Sequence, residues 1–317
     1  MAALSFEMIN HFRLINHILH KQQLQAKMDF SDYYLLIHNN ERGFHLFPQF
    51  QNKKGLYDSV LINESTRFMG WRPHHIYSWE TATNKLLFKT LLHRNGISTP
   101  NYARSYNSTL GDYIVKPITS SFGAGIKGPF LSDHGCGDVK EDEFCEAYIK
   151  GTIAKIWFWR HQAVAAELLP YLSVRGNGCS TIAELIEAHA YSINRKVDAT
   201  AFLPMLAYQG ITLDTVLEKD QVCPIDFRYK SALPTSHQTQ DVKVADHPLL
   251  ANHPMLHRLG HLLAQQADFP QRDRVYSIDA IIDIDQRLWI LEMNCNPHIH
   301  PFLYESMVAD MLSQRQV

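Results

Sequence analysis

"LWILEMNCNPHIHPF", residues 288–302, is the stretch whose reading decides the fold. An apolar run from Leu288 to Leu291 meets Glu292, then Asn294, Asn296, His298 and His300. Acidic and amide side chains at the end of a core strand carry a desolvation cost unless something binds them. The residues before it, "RVYSIDAIIDIDQR" (274–287), read as the other strand of a hairpin. With Asp285–Gln286 as a two-residue turn, Ile284 faces Arg287, Ile282 faces Trp289 and Asp279 faces Glu292. Asn294 then shares the face of Glu292. Facing carboxylates repel, and a hard cation between them removes the penalty. Asp279, Glu292 and Asn294 are therefore candidate Mg²⁺ ligands. A polar strand end hydrogen-bonded to the next loop is the other reading. Asp-Gln is not a favoured turn, so the register is open to a slip.

Magnesium held by two carboxylates usually brings phosphates with it. "YIVKPITSSFGAGIKG" (113–128) offers a grip for them. A core strand delivers Lys116 as a point cation. Gly123 and Gly125 let backbone N–H groups approach an anion, and Ser120 and Ser121 add hydroxyl donors. The loop is neither a Walker A loop nor GxGxxG, and a plain turn is its alternative. In "FCEAYIKG" (144–151), Glu146, Tyr148 and Ile149 suit an extended segment that reads an adenine edge. Core packing is the alternative for Tyr148 and Ile149.

Composition narrows the class. The chain has 317 residues, 45% hydrophobic and 20% charged, so it can bury a large core. A net charge of −2 gives no basic field for nucleic acid. No apolar run nears the length of a membrane span, and the first residues lack the pattern of a signal peptide. Five cysteines without a CxxC pair fit reduced thiols and a cytoplasmic location. His253, His257 and His261 have metal-compatible helical spacing, but no carboxylate or cysteine joins them, so a solvated helix face is expected.

Along the chain, residues 5–28 have helical periodicity, and "YYLLIHNNERGFHLFPQF" reads as strand, turn, strand. A helix is expected from Thr83 to Arg94 with Gly96 as its stop. "AKIWFWRHQAVAAELL" reads as two strands joined near Arg160–Gln162. "GNGCSTIAELIEAHA" reads as a turn and a capped helix with Glu184 in a capping box. Another helix is expected over Pro254–Ala267.

Taken in order, "ATNKLLFKTLLHRNGISTP", "YIVKPITSSFGAGI", "CEAYIKG", "VRGNGCSTIAELI" and "SIDAIIDIDQRLWILEMNCNP" resemble the ATP-grasp family over roughly residues 66–300. The chain looks most like the ATP-grasp modules of cyanophycin synthetase and bifunctional glutathione synthase. The resemblance implies an α+β fold of three lobes, with ATP held between two α+β subdomains. The lobes expected are 1–100, a shortened N-terminal lobe with an entry helix; 101–170, a lid carrying the phosphate loop; and 171–317, a central subdomain with the metal hairpin.

The resemblance also assigns roles. Lys85 and Lys116 match the ATP-gripping lysines, Ser120 to Gly125 the closing loop, and Glu146, Ala147, Tyr148 and Ile149 the adenine hinge. Asp279, Glu292 and Asn294 match the ligands of two Mg²⁺ ions. Lys116, Lys155 and Arg228 are the expected catalytic cations. The implied chemistry joins a carboxylate and an amine, small-molecule or peptide, through an acyl phosphate. A homodimer is the candidate assembly. Ile153 stands where relatives carry a ribose-binding acid, and the pocket arginine near Leu168–Leu169 is missing. Arg175, Arg228 and Lys230 are candidate replacements. These departures keep a second reading open, a nucleotide-binding pseudoenzyme or regulatory subunit.

Overall fold

The computed structural model describes residues 6–39, 43–61, 65–120, 123–133, 139–233, 239–266 and 273–313. The chain opens with α1 (Phe6–Lys21), followed by β1 (Gln25–Met28), β2 (Leu35–His38), β3 (Gly43–Asn52), β4 (Tyr57–Asp58) and β5 (Ser65–Arg72). These five strands form one antiparallel sheet. The helix expected to reach residue 28 stops at Lys21. Gln23 takes a positive φ of 55°, which turns the chain back so that Gln25–Met28 pairs with β2.

Next come α2 (Glu80–Thr83) and α3 (Lys85–Arg94). Asn84 separates them because its side chain caps α3, accepting from the N–H groups of Leu86 and Leu87 at 3.1 and 3.2 Å. A four-stranded antiparallel sheet follows in the order β6 (Tyr102–Ala103), β9 (Glu143–Ala147), β7 (Tyr113–Pro117), β8 (Lys127–Phe130). One face packs Tyr113, Val115 and Cys145 into a small core. By strand alternation the other face presents Ile114, Lys116 and Glu146.

The central sheet contains β10 (Gly151–Trp159), β11 (Gln162–Leu169), β14 (Gln240–Lys243), β15 (Val275–Asp283) and β16 (Leu288–Asn294), ordered β14-β11-β10-β15-β16 and antiparallel throughout. The lobe boundary expected at residue 170 therefore does not follow the sheets, because β10 and β11 pair with strands from beyond it. Between β11 and β14, β12 (Leu172–Arg175), α4 (Ile182–Ser192), α5 (Leu203–Tyr208) and β13 (Val222–Asp226) make a subdomain with its own core. The capping box of α4 is present between Thr181 and Glu184. Then α6 (Pro254–Ala264) precedes the hairpin and α7 (Leu303–Ser313) ends the described chain.

Alternation in the central sheet sorts its two faces. Ala154, Ile156, Phe158, Tyr276, Ile278, Leu288 and Ile290 pack with Phe88 and Leu92 of α3 and with Leu256 and Leu259 of α6. On the opposite face, Trp157, Trp159 and Val275 pack against the N-terminal lobe and α7. The rest of that face lies open to the cleft beneath the small sheet.

The terminal hairpin departs from the expected turn. Asp283 N–H donates to the carbonyl of Arg287 at 3.0 Å, and Gln286 has φ of 62°. The loop thus has three residues, Ile284–Gln286, with the last left-handed. Ile282 pairs with Leu288 rather than Trp289. A bulge between Asp279 and Ala280, with Leu291 as the extra residue, corrects the register so that Asp279 pairs with Glu292 and Ser277 with Asn294. Without it, Glu292 would follow Leu288 and Ile290 into the core.

Candidate active site

One register line crosses the whole central sheet. Asp241 pairs with Glu167, Glu167 with Lys155, Lys155 with Asp279, and Asp279 with Glu292. Five neighbouring strands thus carry five charged residues in a row on the cleft face. Lys155 Nζ lies 2.7 Å from Asp279 Oδ1, and Asn294 Nδ2 donates to Asp279 Oδ2 at 3.1 Å. Burial, with Asp279 adding to it, raises the Glu292 carboxyl above its ordinary range even though Lys85 approaches at 3.4 Å. Two facing carboxylates and an amide oxygen form a hard-oxygen donor set, so these residues fit Mg²⁺.

The opposite wall carries the other cations. Lys85, the first residue of α3, donates to Ser120 O at 2.9 Å and Ser120 Oγ at 3.0 Å. Lys116 on β7 and Lys89 one turn beyond Lys85 grip the two oxygens of Glu146, each at 2.5 Å. Burial opposes the charge on Glu146, yet the two lysines hold its pKa below the usual carboxylate value. Burial likewise disfavours charged Lys116, but Glu146 and Glu292 outweigh it and raise its pKa. Lys89, fully buried, is lowered. Six basic residues (Arg67, Lys85, Lys116, Lys155, Arg228 and Lys230) line the cavity with four carboxylates (Glu146, Glu167, Asp279 and Glu292), which leaves a site suited to a polyanion.

Sheet, small sheet and entry helix enclose a cavity of about 670 Å³. Lys85, Lys116, Ser120, Gly123, Glu146, Ala147, Tyr148, Ile149, Lys155, Asp279, Glu292 and Asn294 all line it, so the predicted residues are brought together. Gly125 does not line it. A Cβ there would stand 2.8 Å from Pro117 Cγ, so Gly125 serves a close turn. Ser121 lies outside the described residues.

The hinge needs a correction of detail. Glu146 turns its carboxylate inward to Lys89 and Lys116. The N–H of Ala147 is bonded to Asn101 O and that of Tyr148 to Asp112 O. Tyr148 packs its ring among Tyr208 and Phe227. The Ile149 carbonyl accepts from Tyr171 Oη at 2.9 Å. The Ile149 N–H has no partner among the described residues.

Arg228, expected as a catalytic cation, forms a bidentate pair with buried Asp226 through Nε at 2.8 Å and Nη2 at 2.9 Å. Asp226 would otherwise be a buried uncompensated charge, so the pair has a structural part, while Arg228 also lines the cavity. Ile153 is buried and gives the cavity an apolar wall. Arg175 is an exposed residue near Asp220.

Several residues escaped the sequence reading. Lys89 follows Lys85 by one helical turn, a spacing that marks a shared face. Glu167, Tyr229 and His298 form a cluster at the far end of the cavity: Tyr229 Oη donates to Glu167 Oε2, and His298 Nε2 lies 3.4 Å from Glu167 Oε1. Nothing local in the sequence links 167, 229 and 298. Arg72 is fully buried and reaches Asn296 Oδ1 at 2.8 Å, Gln49 Oε1 at 3.2 Å and Cys295 O at 3.2 Å. It ties the N-terminal lobe to the strand end, and burial lowers its pKa to about 10.

Among the described residues, only Glu167, Asp241 and His300 group as a metal candidate from acid, histidine and cysteine side chains. The Phe302 N–H donates to His300 Nδ1 at 3.3 Å, so neutral His300 carries its proton on Nε2 and has no lone pair there for an ion. His253 is instead the N-cap of α6, and His257 and His261 are exposed, as a solvated face requires.

No protein-family model matches the chain, and no curated protein matches it. Solved structures do resemble it. A bifunctional glutathione synthetase from Pasteurella multocida aligns with 96% of this chain and 43% of its own at 16% identity, TM-score 0.46. D-alanine–D-alanine ligase from Bacillus anthracis, complexed with ATP, aligns with 73% of this chain and 62% of its own at 12% identity, TM-score 0.39. The ATP-grasp ligase PsnB aligns with 72% of this chain and 60% of its own at 13% identity, TM-score 0.37. The chain spans less than two thirds of each of these proteins. These are likenesses of fold in outline, between mixed structures of helices and antiparallel sheets.

Proposed function

We propose that this protein is an ATP-dependent carboxylate–amine ligase of the ATP-grasp type. The observation that carries the reading is the acid–lysine row on the central sheet, set beneath a second sheet that carries Lys116. Lys85 and Lys116 neutralise phosphate charge, and Gly123 brings backbone N–H groups to the same place. The Ile149 N–H meets the base, and Ile153 offers it an apolar wall. Asp279, Glu292 and Asn294 would hold Mg²⁺, two ions in this reading, which supplies charge neutralisation at phosphate oxygens. Lys155 stands beside Asp279 and positions the acceptor carboxylate as it takes the γ-phosphoryl group. An amine then displaces phosphate from the acyl phosphate to give the amide, ADP and phosphate.

The free thiols of Cys179, Cys223 and Cys295 suit a reducing cytoplasm. No described helix is long and apolar enough to cross a membrane.

A second reading is a nucleotide-binding subunit without turnover. Buried Ile153 and the engagement of Arg228 by Asp226 favour it. ADP release from Mg-ATP in the presence of amino-acid and dipeptide mixtures separates the two. Release that depends on added substrate supports the ligase. ATP binding without any such release supports the second reading.

A further inference from the structure

Beyond Lys155 the charged row changes character. Glu167 and Asp241 are cross-strand neighbours of like charge, and two histidines face them. His298 lines the cavity at 33% side-chain exposure, while His300 is buried behind it. Glu167 is fixed at both oxygens, by Tyr229 Oη on one and His298 Nε2 on the other. Burial works against its charge, yet the His298 and Tyr229 contacts hold it below the ordinary carboxylate range, so it stays ionised. The Trp157 indole N–H donates to the His298 carbonyl at 2.8 Å, and its ring packs edge-on against the imidazole at 4.9 Å between centroids. The imidazole is thus held from two sides, and the backbone that carries it is held by the indole N–H. With the Nε2 proton directed at Glu167, the lone pair of the neutral ring is on Nδ1, and His298 lines the cavity.

This arrangement sits one strand beyond Lys155, on the side away from the magnesium ligands. It has no use in phosphate binding, because an ionised carboxylate repels phosphate. It suits a group that arrives positively charged and must lose a proton.

Resting on the ligase reading above, we propose that His298, positioned by Glu167, is the general base for the amine substrate. The incoming ammonium loses one proton to His298 Nδ1. The nitrogen lone pair forms the C–N bond to the acyl carbon. The C–O bond to phosphate breaks with its electron pair on phosphate, which carries off the second nitrogen proton. The imidazolium returns its proton to solvent. Glu167 is a positioning residue that offsets the charge forming on the ring. The charged and titratable groups around His298 and its cavity wall are Glu167 of β11, Asp241 of β14, Lys155 of β10, Arg67 of β5, Tyr229, Lys230, His300 and His11 of α1. Burial lowers His11 to about 4, so it adds no charge at neutral pH.

The test uses two amines on the same acyl phosphate. Hydroxylamine is already neutral at pH 7 and needs no base, whereas amino-acid amines arrive as ammonium. Wild type, His298→Gln and Glu167→Gln are given Mg-ATP and amino-acid and dipeptide mixtures, with and without hydroxylamine. His298→Gln should form acyl hydroxamate within about twofold of wild type and lose amide formation about 100-fold, the scale of general-base catalysis. Its amide rate should recover as pH rises and the amine deprotonates itself. Glu167→Gln should show the same split, more weakly. Equal loss of hydroxamate and amide, or no loss of amide, overturns this inference alone. A wild type that binds ATP but yields no hydroxamate with any mixture overturns the ligase reading and this inference together.

Discussion

Asp279 and Glu292 are partners across the terminal hairpin although the hairpin loop sets a register that would separate them. The bulge at Leu291 restores the pairing and turns Glu292 from the core to the cleft. The result is a half-buried carboxylate pair with Lys155 on one side and Lys85 on the other.

That pairing sets function against stability. Glu292→Gln should nearly abolish ATP turnover, since it removes a charge that would hold the metal in the proposed reading. Without Mg²⁺ the same variant should melt no lower than wild type, because it removes a half-buried charge that repels Asp279. Adding Mg²⁺ should raise the melting temperature of wild type more than that of the variant. Wild-type turnover in Glu292→Gln at limiting Mg²⁺ would contradict the assignment.

Lys116→Met should weaken ATP binding roughly 10- to 150-fold, the range for a charge-assisted contact of about 1.5–3 kcal/mol. Glu146 keeps Lys89 as a partner, so the fold should survive. Calorimetry giving an unchanged dissociation constant would leave Lys116 as a structural partner of Glu146 only.

Two glycines of the loop after β7 should behave differently. Both have left-handed backbones, with φ of 72° at Gly123 and 77° at Gly125. A Cβ at 123 meets only Ile126 Cδ1 at 3.7 Å, whereas one at 125 meets Pro117 Cγ at 2.8 Å. Gly125→Ala should therefore lower the melting temperature more than Gly123→Ala, each paying backbone strain of about 1–3 kcal/mol. Gly123→Ala should show its main effect on turnover. Equal melting temperatures would contradict the packing argument.

Asp283 pins the hairpin loop. It accepts from Arg287 N–H and Trp289 Nε1, each at 2.8 Å, and although burial opposes the charge, these bonds lower its pKa. A depressed folded pKa means the stabilisation is present above the ordinary aspartate value and is lost as pH falls through the folded one. Asp283→Asn should therefore melt below wild type at pH 7, and the gap should close as pH falls below about 4. A gap independent of pH would contradict a charge-based role.

Much of the site was legible because it lies in short segments with strong local chemistry. Lys116 at the end of an apolar strand and the glycines after it need no tertiary information to be noticed. The Asp279–Glu292 pairing was read correctly from a turn that does not form: a two-residue loop and a three-residue loop plus a bulge place the same residues opposite one another. What stayed hidden is the chemistry that only sheet order creates. Glu167 becomes a neighbour of Lys155 through strand pairing, and His298 meets Glu167 through the chain's return after β16. Arg228 reads as a free cation until Asp226, two residues earlier, folds beneath it. The end of α1 was missed because a helical period alone does not reveal a left-handed Gln23.

The central claim is a magnesium–nucleotide site on the cleft face of the central sheet. A crystal structure with a non-hydrolysable ATP analogue and Mn²⁺ in place of Mg²⁺ tests it directly through anomalous scattering. The account predicts a manganese peak held by Asp279, Glu292 and Asn294, phosphates against Lys85 and Lys116, and the base at the Ile149 N–H. A peak at Glu167, Asp241 and His300, or a nucleotide bound elsewhere, would contradict it.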